Sequence, residues 1–223
     1  MIEKGDKISV HDHGFVRYIG HLGSDLDIIE AARISYKSPS KGEEADKKLL
    51  KYLITNKHTS PLEMVKIKFN IKMPIFVMRQ FVRHRMQNLN EVSARYTELP
   101  NEFFIPKEFR ANNVKDKQSS GRDFNLKQDH CKGLMNLSYE VAYTAYTSLL
   151  NEGIAREQAR LVLPVGIYTE IYSCWDLNNL LKFFALRDDP HAQKEHQDYA
   201  RAMKTITAEV FPWVMEIYEE LRK

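Results

Sequence analysis

The chain has 223 residues, with 33 Lys and Arg against 30 Asp and Glu and a formal net charge of +3. A hydrophobic fraction of 43% and a charged fraction of 28% are ordinary globular values and exclude a disordered or fibrous chain. The near balance of charge argues against nucleic-acid binding by bulk electrostatics, and the length fits a single domain, 1–223, with a full hydrophobic core. Two cysteines, Cys131 and Cys174, are too few for a disulfide scaffold or a four-thiolate zinc site, so a reducing compartment is expected. The first residues lack the apolar segment of a secretory signal, and no apolar run approaches the ~18–20 residues that cross a bilayer. A soluble, cytoplasmic protein without membrane contact is the expectation.

In chain order, residues 7–21 carry short β-prone runs around Asp12-His13-Gly14. Ser24 is placed to cap a helix with Leu26, Ile28, Ile29, Ala31, Ala32 and Ile34 on its apolar side. Glu43 to Asn56 reads as a second helix that buries Leu49, Leu50, Leu53 and Ile54. Ser60-Pro61-Leu62-Glu63 has the form of a capping box with Pro at the first helical position. From 65 to 73 the chain alternates strictly, Val65, Ile67, Phe69, Ile71 and Met73 against Lys66, Lys68, Asn70 and Lys72. That predicts a strand covered on one side only.

Pro74 restarts the chain as a helix through about Arg83, and a β-like stretch is expected near Ser93–Leu99. Asn112 to Gly121 reads as a surface loop. Helices are predicted over 123–152 and 155–162, a strand over Ile167–Trp175, and helices over Leu177–Leu186 and His191–Arg222. Cys174 reads as buried packing. No repeat or linker divides the chain. Strands and helices mix without a βαβ rhythm, so the fold class is α+β. No GxGxxG or Walker A loop occurs.

Chemistry concentrates after the strand. Residues 64–90 hold Lys66, Lys68, Lys72, Arg79, Arg83 and Arg85 and no acid. The strand lysines read as a solvated face. The arginines are followed by Gln87, Asn88, Asn90, Glu91, Ser93 and Arg95. Guanidinium groups recognise phosphate in a planar, bidentate way, and the neighbouring polar residues suit a heterocycle or sugar. A helix end laced with ion pairs would have the same composition.

Arg83-His84-Arg85, seven residues and Ser93 make the pattern RHR-x7-S. It resembles the signature of the flavin-dependent thymidylate synthases, the thymidylate synthase-complementing protein type. Ala31-Ala32-Arg33-Ile34-Ser35-Tyr36, His58 to Glu63, Pro74 to Gln80, Ala159 to Pro164, and Leu186-Arg187 through His191-Ala192-Gln193 resemble further family segments in family order. The resemblance implies mixed helices around a small, largely antiparallel sheet. It implies a methyltransferase of dTMP biosynthesis that converts dUMP to dTMP. Methylenetetrahydrofolate would be the carbon donor, and NADPH the reductant through FAD. It also implies a homotetramer with shared active sites.

Carried over by motif, Gln80, Arg83, Ser93, Ala94 and Arg95 correspond to dUMP contacts, with Arg95 and its neighbours at the phosphate. Ala94 stands where the family usually has Gly. Arg187 is implied to be the catalytic arginine that contacts uracil and assists its ionisation at N3. Arg160 is implied to be a second dUMP-side arginine; the residues alone equally allow an ion pair with Glu157. Ser60, Arg83, His84, Arg85 and Glu91 are implied FAD contacts, with His58 and His191 close to the flavin. Asp176, Asn178 and Lys182 stand at late FAD positions where the family pattern differs. The first two suit adenine or ribose, and Lys182 suits the pyrophosphate or solvent. The resemblance implies no covalent enzyme nucleophile, which makes Ser93 a ligand contact. No metal is expected: His11-Asp12-His13 is a fragment of an HD-type phosphohydrolase site without a second His-Asp pair. A single-stranded nucleic-acid binder over 66–85 would use interleaved aromatics, but Phe69 lies on the apolar strand face.

Overall fold

The computed structural model describes residues 2–112, 120–121 and 125–222. Its strands are β1 (Lys7–Val10), β2 (Gly14–Leu22), β3 (Lys66–Pro74), β4 (Gln87–Glu91), β5 (Ala111–Asn112), β6 (Ser120–Gly121) and β7 (Tyr168–Asp176). Its helices are α1 (Asp25–Arg33), α2 (Glu43–Thr55), α3 (Ser60–Glu63), α4 (Ile75–Phe81), α5 (Gln128–Asn151), α6 (Arg156–Ala159), α7 (Leu177–Arg187), α8 (Lys194–Val210) and α9 (Pro212–Glu220). Five strands form one sheet in the order β1-β2-β3-β7-β4, and each neighbouring pair is antiparallel. The α+β expectation holds.

The alternation of β3 sets the core. Ile67, Phe69, Ile71 and Met73 are wholly buried. They lie beside Val16 and Tyr18 of β2 and opposite Ile171 and Trp175 of β7. Ile28, Leu50, Leu180, Phe183, Met203 and Val214 bring α1, α2, α7, α8 and α9 into the same apolar cluster. The other face is less open than predicted, because Asn70 is buried. Its Oδ1 accepts from Arg17 Nη1 at 3.1 Å, and its Nδ2 donates to Glu170 Oε1 at 2.9 Å. At the β1–β2 turn Gly14 has no room for a Cβ against the Tyr199 hydroxyl and the backbone.

Several predicted boundaries move. The stretch 93–99 is a turn, and the strand is the polar segment β4 before it. The helix after Pro74 stops at Phe81 rather than Arg83. The 112–121 loop is bordered by β5 and β6, which pair with each other, and residues 113–119 lie outside the described residues. The long helix begins at Gln128, and residues 122–124 also lie outside. The 155–162 helix is α6 followed by a 3-10 turn, Arg160–Val162. The last helix breaks at Phe211 into α8 and α9. There the buried Asp25 carboxylate accepts from the Trp213 and Val214 amides at 3.1 and 3.2 Å, so it caps α9 from 188 residues away. Leu26 and Ile34 are exposed, not buried with Ile28 and Ile29. Leu49 and Ile54 are only partly buried, and Cys174 is half-buried. Ser60 does not form the expected capping box: Thr59 holds the cap position without a side-chain bond.

α5 packs differently from the other helices. Of its 24 residues only Tyr146 is buried. Tyrosines tether it: Tyr139 Oη donates to Phe104 O and Tyr143 Oη to Leu99 O, both at 3.1 Å. The Leu99 amide donates to Tyr146 Oη at 3.2 Å. Leu134, Leu137 and Val141, at helical spacing, are 56%, 58% and 61% exposed. Among the described residues no helix is long and apolar enough to cross a membrane.

Candidate active site

β4 delivers Glu91 to the edge of the sheet, where its Oε1 accepts from Thr169 Oγ1 of β7 at 2.6 Å. The chain then turns. Ser93 O accepts from the Tyr96 and Thr97 amides, both at 3.0 Å, and Ser93 Oγ accepts from the Arg95 amide at 3.3 Å. This turn opens a cavity of about 330 Å³ whose walls include Glu91, Ser93, Ala94, Arg160, Ile167 and Thr169. Among the described residues only His11, Lys37 and Lys57 are non-glycine residues with positive φ. Ala94 therefore keeps an ordinary backbone, and its departure from glycine carries no strain. Arg95 Nε donates to Glu157 Oε2 at 3.0 Å in an exposed pair. Glu157 thus serves Arg95, and the alternative pairing with Arg160 is not formed. The exposed Arg160 guanidinium has no polar partner among the described residues.

A second grouping lies at the C-terminal end of α7. Arg187 Nε donates to His84 Nε2 at 2.8 Å. Burial lowers the pKa of Arg187. His84 is pushed down to about 4, first by burial and then by the Arg187 charge. It is therefore neutral near pH 7. Behind it His196 is wholly buried, with ring centres 6.5 Å apart. His196 is pushed down to about 3 by burial, then by Arg187 and His84. Its Nδ1 lies 3.4 Å from Gln80 Oε1, and its Nε2 has no partner among the described residues.

Gln80 Nε2 donates to Gln193 Oε1, and Gln193 Nε2 donates to Glu195 Oε2 at 3.0 Å. Arg110 Nη2 reaches both Glu195 oxygens, at 2.8 and 3.1 Å. Burial opposes ionisation of Glu195, but hydrogen bonds led by Arg110 hold its pKa below the usual carboxylate range. This chain of bonds borders a cavity of about 740 Å³ that His191, Gln193 and Arg110 also line. The His191 amide and Nδ1 both meet Asp189 Oδ1 at 2.9 Å. His196, Glu195 and Arg110 were not singled out from the sequence. The available signal was a His and a Glu on the inward face of an amphipathic helix, which periodicity alone reads as a defect in the pattern.

The remaining predicted residues gather around α3, α7 and the end of α4. Ser60, Arg83, Arg85 and Lys182 are exposed, and their side chains have no polar partner among the described residues. His58 is exposed and stands edge-on to Tyr52 at 5.4 Å. Asp176 caps α7 by accepting from Asn179 N at 2.9 Å and Asn179 Nδ2 at 2.8 Å. The buried Asn178 donates to Glu63 Oε1 at 2.9 Å and ties α7 to α3.

Asp12 of the His11-Asp12-His13 run accepts from Tyr168 Oη. Among the described residues no three His, Cys, Asp or Glu side chains form a metal-binding group.

A family model described as thymidylate synthase complementing protein matches residues 17–213. The flavin-dependent thymidylate synthase of Thermus thermophilus is 44% identical over 213 residues, which cover 96% of this chain and 78% of that one. The flavin-dependent thymidylate synthase of Thermosipho melanesiensis is 43% identical, with 95% and 93% covered. The crystal structure of a UMP/dUMP methylase, PolB from Streptomyces cacaoi, bound with 5-Br dUMP, superposes with a TM-score of 0.87 at 31% identity over 96% of this chain and 97% of that one. With the RHR-x7-S pattern, these likenesses place the chain in the thymidylate synthase complementing protein family, that of the flavin-dependent thymidylate synthases.

Proposed function

We propose that the protein converts dUMP to dTMP in the cytoplasm, taking the carbon from methylenetetrahydrofolate and the reducing equivalents from NADPH through FAD. The observation that carries this reading is Arg187. It is half-buried, held at Nε by His84, and its two terminal nitrogens have no partner among the described residues. Arginine stays cationic even when burial lowers its pKa. Beside the pyrimidine oxygens in a low-dielectric pocket, that charge stabilises a ring ionised at N3. An ionised uracil is a stronger carbon nucleophile at C5, and no enzyme nucleophile is then required. Among the described residues the only polar contact of Ser93 Oγ is with the Arg95 amide, which supports a ligand role.

Ser93, Ala94 and Arg160 form a wall for the nucleotide, and Arg95 faces its phosphate. A dianion there competes with Glu157, and an exposed pair of that kind is worth at most ~1 kcal/mol. Gln80 and Arg83 complete the dUMP set. FAD, when bound, supplies the hydride-transfer chemistry. The donor set fits it: Arg83, Arg85 and Ser60 are exposed and have no polar partner among the described residues, as an anionic pyrophosphate requires. Glu91, His84, His58 and His191 extend that set, and Lys182 offers a further cation. Asp176 and Asn178 already serve the α7 cap and Glu63, so the remaining acceptor capacity of Asp176 and the Oδ1 and second amide N–H of Asn178 are left for ribose or adenine.

One copy holds these residues in separate groupings, and the apolar stripe of α5 is exposed. Both support a homotetramer that assembles each site from more than one copy.

The test is dTMP formation by the purified protein from dUMP, methylenetetrahydrofolate and NADPH, with and without added FAD. FAD-dependent product is expected. UMP in place of dUMP separates this reading from a ribonucleotide methylase. A folded protein that takes up neither flavin nor dUMP would overturn it. Arg187→Ala is expected to stay folded and lose ~10²–10³-fold in kcat, the size of one lost charge-stabilising donor.

A further inference from the structure

We propose that His84 is the positioning residue of Arg187: its ring accepts the Arg187 Nε–H at Nε2 and so aims both terminal nitrogens of the guanidinium at the nucleotide base. The proposal rests on the reading of Arg187 as the uracil contact.

The geometry is specific. Arginine carries five N–H donors in a rigid fork. The 2.8 Å bond to His84 uses the one on Nε and leaves the four on the Nη atoms. A histidine that accepts at Nε2 carries its proton on Nδ1. Burial and the adjacent cation keep the ring from taking a second proton near pH 7, so the acceptor persists.

His84 itself is immobilised. Its amide donates to Phe81 O at 3.1 Å, and its carbonyl accepts from Gln87 Nε2 at 3.0 Å. Its ring stands edge-on to Phe183 at 4.9 Å, with Trp175 at 6.3 Å and His196 at 6.5 Å. Phe183 and Arg187 lie one turn apart on α7, so the helix that carries the arginine also carries the ring that holds its partner. Arg187 also closes the last turn of that helix, where the backbone carbonyls favour a cation. A long side chain that would otherwise sample many rotamers is thereby set before substrate arrives.

The experiment is a double-mutant cycle read by equilibrium dUMP binding to the FAD-loaded protein. His84→Ala is expected to weaken dUMP binding ~10-fold, the size of one charge-assisted hydrogen bond. His84→Gln restores an acceptor oxygen and is expected to recover most of that loss. In the Arg187→Ala background, His84→Ala is expected to change the affinity by less than about twofold, because coupled residues do not add.

Arg187→Ala alone decides the parent reading: unchanged dUMP affinity would sink the uracil contact, and the positioning role with it. Weakened binding in Arg187→Ala combined with an additive cycle would sink only the positioning role. If His84→Ala fails to fold or loses its flavin, ¹⁵N NMR of the histidine-labelled wild-type protein decides. A neutral His84 protonated at Nδ1 supports the proposal, and protonation at Nε2 overturns it.

Discussion

In β3, Ile67, Phe69, Ile71 and Met73 are wholly buried between two neighbouring strands and the helices that cover them, whereas α5 runs for 24 residues and buries only Tyr146. The difference is not one of apolar content. Leu134, Leu137 and Val141 make a stripe on α5, but the stripe faces outward. A row of large apolar side chains on an outer face marks a contact surface. The candidate site straddles the two regions. His84 and Arg187 belong to the sheet side, where Phe183 and Trp175 flank the His84 ring that holds Arg187. Ala94 lies in the small cluster against which Tyr139 and Tyr143 of α5 pack. One region makes the chain fold. The other leaves its apolar stripe exposed.

Four measurements sharpen or break that contrast. On the sheet side, Phe69→Ala is expected to cost ~3–5 kcal/mol, a large part of a typical ~5–15 kcal/mol total. Urea unfolding checks it, and a loss below about 1 kcal/mol would mean the β3 face is not the organising core. On the other side, Leu137→Asp is expected to leave the far-UV spectrum unchanged and to weaken self-association by at least ~30-fold, the loss of one interface hot spot of ~2 kcal/mol. Sedimentation equilibrium reads it. An unchanged assembly would free α5 from any role between copies.

The third measurement concerns pH. His84 and His196 lie at about 4 and about 3 in the folded protein, below the ordinary 6.5. The unfolded chain therefore binds more protons at both positions. Stability is complete above about pH 6.5 and falls as the pH drops from there toward 4. Urea midpoints at pH 7 and pH 5 are expected to show the fall, and His196→Phe is expected to reduce it. An equal fall in that variant would assign the proton uptake to other groups. The smallest effect is expected for Glu157→Gln, which removes the exposed partner of Arg95 and shifts stability by less than ~1 kcal/mol. Thermal melting checks it, and a larger loss would make this pair structural.

Where burial follows a local period, the fold was legible. The alternation of 65–73, the inward face of α7 and the run 168–176 need only their own residues to declare themselves. β4 did not. Gln87-Asn88-Leu89-Asn90-Glu91 is polar and mostly exposed, and its strand conformation comes from backbone bonds to β7 in the register Gln87↔Trp175 to Glu91↔Ile171. The break at Phe211 was missed for the same reason. The apolar pattern continues through it, and the cap that permits it is Asp25, far away in sequence. In the site, RHR-x7-S and its companion segments identified the family, because a motif is read from spacing alone.

What the sequence by itself determined is the inventory: an α+β chain, the β3 core, and the RHR-x7-S motif and companion segments of its family. Tertiary structure decided the pairings. It set Arg187 on His84, 103 residues away, put His196 behind them, and gave Glu157 to Arg95 instead of Arg160. The physical reason is range. Periodicity and propensity act over a few residues and report which face is buried. Which two polar groups meet depends on how whole elements pack, and that packing is settled by the sum of many contacts.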